Sequence, residues 1–304
     1  MLKYILKRLF FSIFVLFGVA TVVFFLVRAT GDPVGLMLSP DATQEQIDEL
    51  REALGLNKPL IEQYVIYLGD LVRLDLGESL RCSDSAFSLI MERLPKTLML
   101  AGSAMLISLC IAIPTGIIAA LKKGSIIDQG IMAISMVGQS MPVFWLGILL
   151  VMLFAVQLRW LPTGGYGSIK NLILPSFALA FGLMPLVTRL LRSSLVEVLE
   201  TDYIRTARAK GYNARQVVIK HALKNSVLPV ITVIGLQMGA LLGGSVVTEN
   251  VFAWPGVGQM LVTAISNRDF PLVQAIIIML SAAFVFINLI VDIIYVFIDP
   301  RIQY

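Results

Sequence analysis

The side chains best suited to specific contacts lie in one polar stretch, Asp202-Tyr203-Ile204-Arg205-Thr206-Ala207-Arg208-Ala209-Lys210-Gly211. Its guanidinium and ammonium groups can bind carboxylates of a partner protein or phosphates of anionic lipid. The spacing predicts a short helix over residues 203–210, capped by Asp202. Gly211 is expected to end this helix, because the residue after a helix often needs a positive φ.

The chain has few residues of the types that form catalytic or metal-binding sites. It holds one histidine, His221, and two cysteines, Cys82 and Cys110, and no acidic cluster accompanies them. An enzyme site needs a nucleophile with its base, and a metal site needs several ligands. We therefore expect no catalytic residue, metal site or cofactor. We interpret His221 as an isolated surface or groove residue and not as a pH switch or a ligand.

Nucleotide and nucleic-acid binding are also disfavoured. The chain lacks Gly-x-x-x-x-Gly-Lys-[Ser/Thr] and has no Gly-Lys pair, so it supplies no phosphate-binding loop. Its basic residues do not form a stripe interleaved with aromatic residues, so nucleic acid is not an expected partner.

Long apolar runs must position the polar stretch. The chain is 57% hydrophobic and 14% charged, whereas soluble domains are about 45–50% apolar and about 25% charged. Runs near or above the ~18-residue threshold predict transmembrane helices, since a chain in hydrocarbon must satisfy its own backbone hydrogen bonds. They cover residues 9–27, 97–120, 130–158, 171–188, 226–248 and 271–291. The predicted class is an all-α polytopic membrane protein with six transmembrane helices.

Positive charge predicts the orientation. The short outer loops hold only Arg159, Lys170 and Arg268, whereas the inner segments, including the basic segment 189–224, hold most of the other basic residues. Both termini are therefore expected in the cytoplasm. Residues 1–27 are interpreted as a retained anchor, because the apolar run exceeds the ~7–15 residues of a cleaved signal peptide.

Residues 28–96 form the predicted extracytoplasmic segment, which precedes a core of five further spans over residues 97–304. A Gly31-Asp32-Pro33 turn opens the segment. Thr43-x-x-Gln46 is a capping box for a short helix that Gly55 stops, and Pro59 begins a second helix. The segment is expected to pack on the membrane helices, and a docking surface for an outer partner is a second interpretation.

The basic segment 189–224 contains two further capping patterns. Ser194-x-x-Glu197 predicts a helix start that extends the fourth span, and Asn213-x-x-Gln216 predicts a second short helix after Gly211. Each short helix has one apolar face. Two interpretations stay open: the pair lies on anionic lipid, or it sits in the groove of a partner protein.

Small and polar residues mark the predicted spans. Gly235, Gly239 and Gly243 form a stripe that permits close helix contact. Asp292, with Asn288 one turn earlier, is expected to be a structural carboxylate paired with Arg189 or Arg192, and a role in a proton relay is the alternative.

Other polar groups are assigned to a pathway or to helix packing. Gln139, Ser140 and Gln237 either face a substrate path or bond neighbouring helices. Trp254-Pro255-Gly256 predicts a type II turn beside an interfacial tryptophan.

The chain also resembles a known family throughout its length. The segment with Arg205-Thr206-Ala207 and Gly211 resembles the cytoplasmic "EAA" loop of binding-protein-dependent ABC importer permeases, in the dipeptide/oligopeptide/nickel permease subfamily. The other matching motifs, in order, are Tyr4 to Leu9, Gly31-Asp32-Pro33, Leu54-Gly55-Leu56 with Pro59-Leu60, Asp75-Leu76-Gly77-x-Ser79, Leu94-Pro95-x-Thr97, Trp160-Leu161-Pro162, Leu174-Pro175-Ser176, Phe252-Ala253-Trp254-Pro255-Gly256-Val257-Gly258, Arg268-Asp269-Phe270-Pro271 and Asp299-Pro300-Arg301.

The resemblance implies a type I ABC importer permease fold in a bacterial or archaeal cell membrane. It implies a second permease subunit, two ATPase subunits that bind ATP and Mg, and an extracytoplasmic substrate-binding protein, besides membrane lipid. The segment 189–224 would be the coupling loop, with the ATPase-coupling residues Tyr203, Arg205, Ala207, Arg208 and Gly211. Trp254 and Pro255 would belong to an outer gate or to a contact with the substrate-binding protein.

Peptides are the expected cargo, and nickel chelates or glutathione are the alternatives within the subfamily. Two other classes fit the residues less well. A secondary transporter predicts charged pairs near the midplane, and a membrane enzyme predicts a nucleophile with its base.

Overall fold

The computed structural model describes residues 2–29, 43–53, 55–82 and 84–298. Within these ranges the chain is helical, apart from loops and one isolated bridge between Glu78 and Ser85. The helices are α1 Leu2–Ala29, α2 Gln44–Ala53, α3 Leu60–Val72, α4 Ala86–Leu121, α5 Ile126–Ser140, α6 Val143–Gln157, α7 Ile169–Leu199, α8 Asp202–Ala209, α9 Ala214–Ser226, α10 Leu228–Val251, α11 Val257–Ser266 and α12 Phe270–Ile298. The predicted turn at Gly31-Asp32-Pro33 and the motif residues Leu54 and 299–301 lie outside the described residues.

Four of these helices are long and apolar enough to cross a membrane. They are Lys7–Ala29, Ala86–Leu121, Ile169–Leu199 and Phe270–Val291. Two more crossings result if each of two bent pairs, α5 with α6 and α9 with α10, counts as one span. The predicted all-α polytopic membrane class is confirmed, and the count of six spans stays a prediction.

A sharp bend divides the predicted third span. α5 and α6 meet at an angle of 102°. Met141 lies between them with φ −86° and ψ 123°, and Pro142 follows at the start of α6. A proline ring disfavours helical geometry at the residue before it, so the uninterrupted apolar run 130–158 forms two helices.

By its internal contacts the chain divides into two compact units, which are residues 1–96 with 256–285, and residues 97–255 with 286–304. The predicted division at residues 27 and 96 stays a prediction. The first unit has a core of buried side chains from the start of α4, α11 and α12, including Ile90, Val257 and Ile276.

The helical segment after α1 packs on α1, as expected. Phe24 of α1 lies 5.3 Å from the rings of both Tyr64 and Tyr67 of α3, and Thr21 Oγ1 lies 2.6 Å from the Tyr64 hydroxyl. Burial, with a smaller effect of Tyr64, raises the pKa of Tyr67 to about 12. Here the local predictions are confirmed: Thr43 and Gln46 form the capping box, Gly55 has a φ of 65°, and Pro59 caps α3.

Two motifs far apart in sequence meet in the first unit. Ser79 Oγ donates a 2.5 Å hydrogen bond to Asp269 Oδ2, and the Leu80 amide donates to Asp269 Oδ1 at 3.2 Å. Asp269 also accepts from the Leu272 amide at 3.4 Å, at the start of α12. A buried carboxylate needs such partners, so Asp269 joins the loop before α4 to α12.

The second unit is built around α7. Ala112 of α4, Val187 and Leu191 of α7 and Val230 of α10 form a buried cluster. Gly116 makes the close approach of α4 to α7 possible, because a Cβ there would lie 3.1 Å from the carbonyl oxygen of Thr188. This packing fixes the C-terminal half of α7, which leads into the polar stretch.

Candidate functional site

The polar stretch forms the predicted short helix, with one correction at its start. Helix α8 runs from Asp202 to Ala209, and its N-cap is Thr201, which has extended angles of φ −73° and ψ 155°. Asp202 is therefore not the cap; it lies in the first turn, where Oδ1 accepts from Arg205 Nη1 at 3.1 Å. Gly211 follows the C-cap Lys210 with a φ of 84°, so the prediction that Gly211 ends the helix is confirmed.

Helix α9 begins with the predicted capping box. The Gln216 amide donates to Asn213 Oδ1 at 2.8 Å, and the Asn213 amide donates to Gln216 Oε1 at 3.2 Å. Tyr212, beside Gly211, packs its ring on His221 of α9 with a centroid distance of 4.9 Å. The loop between α8 and α9 is thus short and fixed by contacts at both sides.

The predicted helix start at Ser194 is wrong. Helix α7 runs without a break from Ile169 to Leu199, so Ser194 and Glu197 lie inside it. Leu191 and Leu195 are fully buried, and their packing keeps this segment helical where the local pattern suggested a start. The predicted extension of the fourth span is confirmed.

The apolar face of α8 packs on the chain itself. Ile204 is fully buried and Ala207 is 6% exposed. They share a cluster with Ala120 at the end of α4, Leu195 of α7 and Val217 of α9. This face is therefore not available to a lipid surface or to a partner's groove. Both interpretations from the sequence placed it there, and in this respect both are wrong.

The opposite face of α8 is exposed and cationic. Tyr203, Arg205, Thr206, Arg208 and Lys210 are all exposed. Asn225 Nδ2 donates to the Tyr203 hydroxyl at 2.9 Å, which holds the phenol at this surface. Of the five predicted coupling residues, Tyr203, Arg205, Arg208 and Gly211 lie at the surface and Ala207 faces inward. We call the exposed residues Tyr203, Arg205, Thr206, Arg208 and Lys210 the α8 surface.

Two ion pairs connect the neighbouring helix ends. Arg192 of α7 binds Asp128 of α5 with two bonds of 2.6 Å, from Nε to Oδ1 and from Nη2 to Oδ2. The Asp128 side chain is 4% exposed and that of Arg192 26%. Near them, Lys123 Nζ lies 2.8 Å from Glu200 Oε1, and this hydrogen bond lowers the pKa of the Glu200 carboxyl.

The pair of Asp128 and Arg192 was missed from the sequence. A signal was present, because Ser125 caps α5 and Asp128 follows it at the third helical position. Arg192, one of the two arginines predicted to pair with Asp292, binds Asp128 instead of standing alone, and the pairing of Asp292 with Arg189 or Arg192 stays a prediction. Arg189 is exposed and Asn288 is half-buried, whereas the side chain of Asp292 lies outside the described residues.

The predicted gate is a buried structure. Trp254 and Phe252 are each 1% exposed, so Trp254 is not an interfacial side chain. The Trp254 amide donates to the Glu249 carbonyl at 2.8 Å, and its ring contacts Tyr166 edge-on at 5.1 Å. The type II turn is wrong, because Gly256 has a φ of −94°; Ala253, with a φ of 47°, makes the reversal.

The remaining path residues are dispersed along the second unit. Gln139 and Ser140 are exposed at the end of α5, beside the bend, and Gln237 is half-buried on α10. Ser140 Oγ donates to the Met136 carbonyl at 3.0 Å. Within the described ranges no hydrogen bond joins Gln237 to the other two. Their place on a path, like that of the half-buried Pro255, stays a prediction.

The glycine stripe of α10 is used unevenly. Gly235 and Gly239 are buried, and Gly243 is exposed. A Cβ at Gly235 would overlap Val291 of α12, whereas one at Gly243 would meet nothing within 4 Å. Only part of the stripe therefore serves contact between α10 and α12.

Alanine at Gly211 should loosen α8 at its C-terminal end. Nothing lies within 4 Å of a Cβ there, so the cost comes from the backbone, at about 1–2 kcal/mol for a left-handed residue other than glycine. We expect faster amide hydrogen exchange over residues 203–210. Asparagine tolerates this conformation, so Gly211→Asn should exchange more slowly than Gly211→Ala. Gly124→Ala is the matched control, since Gly124 has a φ of 79° and equal space outside the loop; equal exchange over α8 in both alanine variants would contradict the prediction.

Comparisons with known proteins cover the whole chain. The family described as binding-protein-dependent transport system inner membrane component matches residues 112–304, and the N-terminal model of the same kind of component matches residues 1–101. The di/tripeptide transport system permease protein DppB of Pseudomonas aeruginosa is 40% identical, over 100% of this chain and 99% of its own length. The oligopeptide permease AppB of Bacillus subtilis is 42% identical and the glutathione permease GsiC of Escherichia coli is 43% identical, each over 100% of both chains.

Solved structures agree on the fold. A chain of the MetNI methionine ABC transporter, in an inward-facing crystal form, superposes with a TM-score of 0.60 at 19% identity, covering 69% of this chain and 96% of that one. A second crystal form gives a TM-score of 0.58 at 18% identity, covering 70% and 97%. This likeness shows the fold alone. With family models that match both parts of the sequence and relatives of at least 40% identity along its length, the chain belongs to the family of binding-protein-dependent transport system inner membrane components.

Proposed function

We propose that this chain is the transmembrane permease subunit of an ABC importer that moves di- and oligopeptides into the cytoplasm. Two ATPase subunits would supply the energy, a second permease would complete the pathway, and an extracytoplasmic binding protein would deliver the substrate. The observation that carries the proposal is the α8 surface, which presents Arg205 and Arg208 outward while Ile204 fixes the helix to the ends of the chain's long helices.

The packing of α8 suits it to transmit motion. Ile204 and Ala207 contact Ala120 of α4 and Leu195 of α7, and both helices are long enough to cross the membrane. Closely packed interiors transmit displacement because they have few voids. A protein that moved α8 would therefore move the ends of two spans with it, as a rigid-body transition requires.

The proposed orientation places both termini and the α8 surface in the cytoplasm. The basic segment 189–224 and the N-terminal Lys3, Lys7 and Arg8 then lie on one side, as the positive-inside rule expects. Cytoplasmic ATPases can reach the α8 surface only in this orientation. The sequence itself has no phosphate-binding loop, so ATP and Mg would be bound by those subunits.

The cargo is proposed from the relatives. The permeases named for di/tripeptides and oligopeptides support peptides, and the glutathione permease at 43% identity supports glutathione as the second candidate. Glutathione is itself a tripeptide, so one uptake assay can compare them. Cells that carry the complete transporter should accumulate labelled di- or tripeptide, and peptide competitors should reduce that uptake more than glutathione does.

Charge reversal on the α8 surface should uncouple the transporter. Arg205→Glu with Arg208→Glu places two anions where a partner is expected to meet two cations, and like-charge contacts at an interface cost several kcal/mol. We expect the ATPase retained on affinity-purified permease, and peptide uptake, to fall by about tenfold or more. The matched control is Arg215→Glu with Lys220→Glu, which makes the same charge change at exposed positions of α9.

The control variant should keep both the ATPase and most uptake. Two results would overturn the proposal: ATPase retention unchanged in the α8 variant, or peptide uptake through this chain in cells that lack every associated ATPase. The second result would favour a secondary transporter instead.

A further inference from the structure

An apolar groove of about 340 Å³ lies in the first unit, between α1 and the start of α12. Val23 and Leu26 of α1 form one wall, and Val273 and Ile277 of α12 form the other. Among the residues that line it, Arg268 alone carries a charge. The groove therefore combines an apolar channel with a single cation.

The groove extends through about two thirds of the depth of one leaflet. Phe270 begins α12 and Ile277 lies seven residues further on, which is about 10 Å along a helix at 1.5 Å per residue. The hydrocarbon core is about 30 Å thick, so each leaflet is about 15 Å deep. Lys7–Ala29 and Phe270–Val291 are both long and apolar enough to span it. Arg268, just before α12, marks the polar boundary, and the walls run inward from there.

The guanidinium of Arg268 is accessible to an anion. Arg268 is exposed. Its backbone has a left-handed φ of 53°, and its amide donates a hydrogen bond to the Ile265 carbonyl at 3.0 Å. The neighbouring carboxylate of Asp269 is occupied by Ser79 and Leu80. Among the side chains that the structure describes, no carboxylate pairs with Arg268.

We propose that this groove binds one phospholipid, with its phosphate on Arg268 and one acyl chain between α1 and α12. A guanidinium binds phosphate oxygens with two parallel hydrogen bonds, and the apolar walls bury methylene groups that would otherwise lack a defined contact. An inorganic phosphate would leave the walls unused. An uncharged apolar helix would bring no anion to Arg268 at the edge of the hydrocarbon.

Photo-crosslinking in a defined bilayer tests this site. The complete transporter is reconstituted into nanodiscs of phosphatidylcholine that contain a small fraction of phosphatidylglycerol with a diazirine on one acyl chain. After irradiation, crosslinked residues are mapped by peptide mass spectrometry. We expect crosslinks concentrated in residues 23–27 and 265–277, and Arg268→Gln should reduce them by about fivefold.

Two further variants separate headgroup from chain. Leu26→Trp fills the groove and should lower the crosslinks there with Arg268 intact. Arg159→Gln is the matched control, because Arg159 is also exposed and also has a left-handed φ, of 55°, outside the groove; its crosslinks should equal those of the unmodified chain.

Three results would overturn the proposal. Crosslinks spread evenly over all exposed apolar helix faces, and unchanged by Arg268→Gln, would indicate ordinary annular lipid. Equal crosslinking by a diazirine diacylglycerol would show that the phosphate is not recognised. Crosslinks from groove residues to another protein chain, obtained with a diazirine amino acid at position 26, would show that a helix occupies the groove.

Discussion

Replacing Arg192 with methionine should destabilise the chain by about 3–5 kcal/mol, the cost of leaving one partner of a buried ion pair alone. The Asp128 side chain is 4% exposed and would lose two bonds of 2.6 Å. The amide of Gly124, which donates to Asp128 Oδ2 at 2.9 Å, would remain its partner. Unfolding of the purified chain in mixed micelles, titrated with SDS, measures the loss.

The two partners should differ in this test. The Arg192 side chain is 26% exposed, so water can solvate it when Asp128 is replaced, and Asp128→Asn should cost less than Arg192→Met. The double variant should recover part of the loss, because it leaves no uncompensated charge. Strict additivity of the two single variants would show that the contact contributes no coupling energy.

Alanine at Gly164 should displace the segment around Trp254. A Cβ at this position would overlap the carbonyl oxygen of Phe252 and lie 2.7 Å from its carbonyl carbon. Phe252 and Trp254 are each 1% exposed, so the backbone has no free space into which it can move. We expect a loss of stability of about 1–3 kcal/mol or more from this overpacking, and a shift of Trp254 fluorescence towards that of a solvated indole.

The fluorescence is measured with Trp145 and Trp160 replaced by phenylalanine, so that Trp254 alone reports. Gly102→Ala is the matched control, since Gly102 lies inside α4 with nothing within 4 Å of a Cβ. That change should leave the spectrum unaltered and stabilise the helix by up to about 0.5–1 kcal/mol. A native Trp254 spectrum and unaltered stability in Gly164→Ala would contradict the proposed close approach.

Features set by neighbouring residues were predictable from the sequence. The caps at Thr43 and Asn213 and the helix stop at Gly211 each depend on residues within four positions, and each was found as expected. The long apolar runs likewise predicted the class, because membrane helices need little tertiary information. The short helix α8 was predicted correctly, although the residue that caps it was off by one, and its role in coupling stays a prediction.

Features set by distant residues were not predictable in the same way. Ser194 and Glu197 form a cap pattern, but burial of Leu191 and Leu195 continues the helix through it. The inward face of α8 required knowing that Ala120, from another helix, covers Ile204. The burial of Trp254 depends on Tyr166, and the partner of Arg192 is 64 residues away. Periodicity carries no information on such pairings.

The internal packing of α8 also bears on the order of assembly. Ordering a free segment costs about 1–2 kcal/mol per residue, or about 8–16 kcal/mol for a helix of 8 residues. Because Ile204 and Ala207 are already buried against their own chain, this entropy is lost when the permease folds. It therefore does not weaken the later binding of an ATPase. Under the proposed function, an ATPase would meet a preformed surface. Its binding could then be modest in area and readily reversible, so that subunits exchange without unfolding the loop.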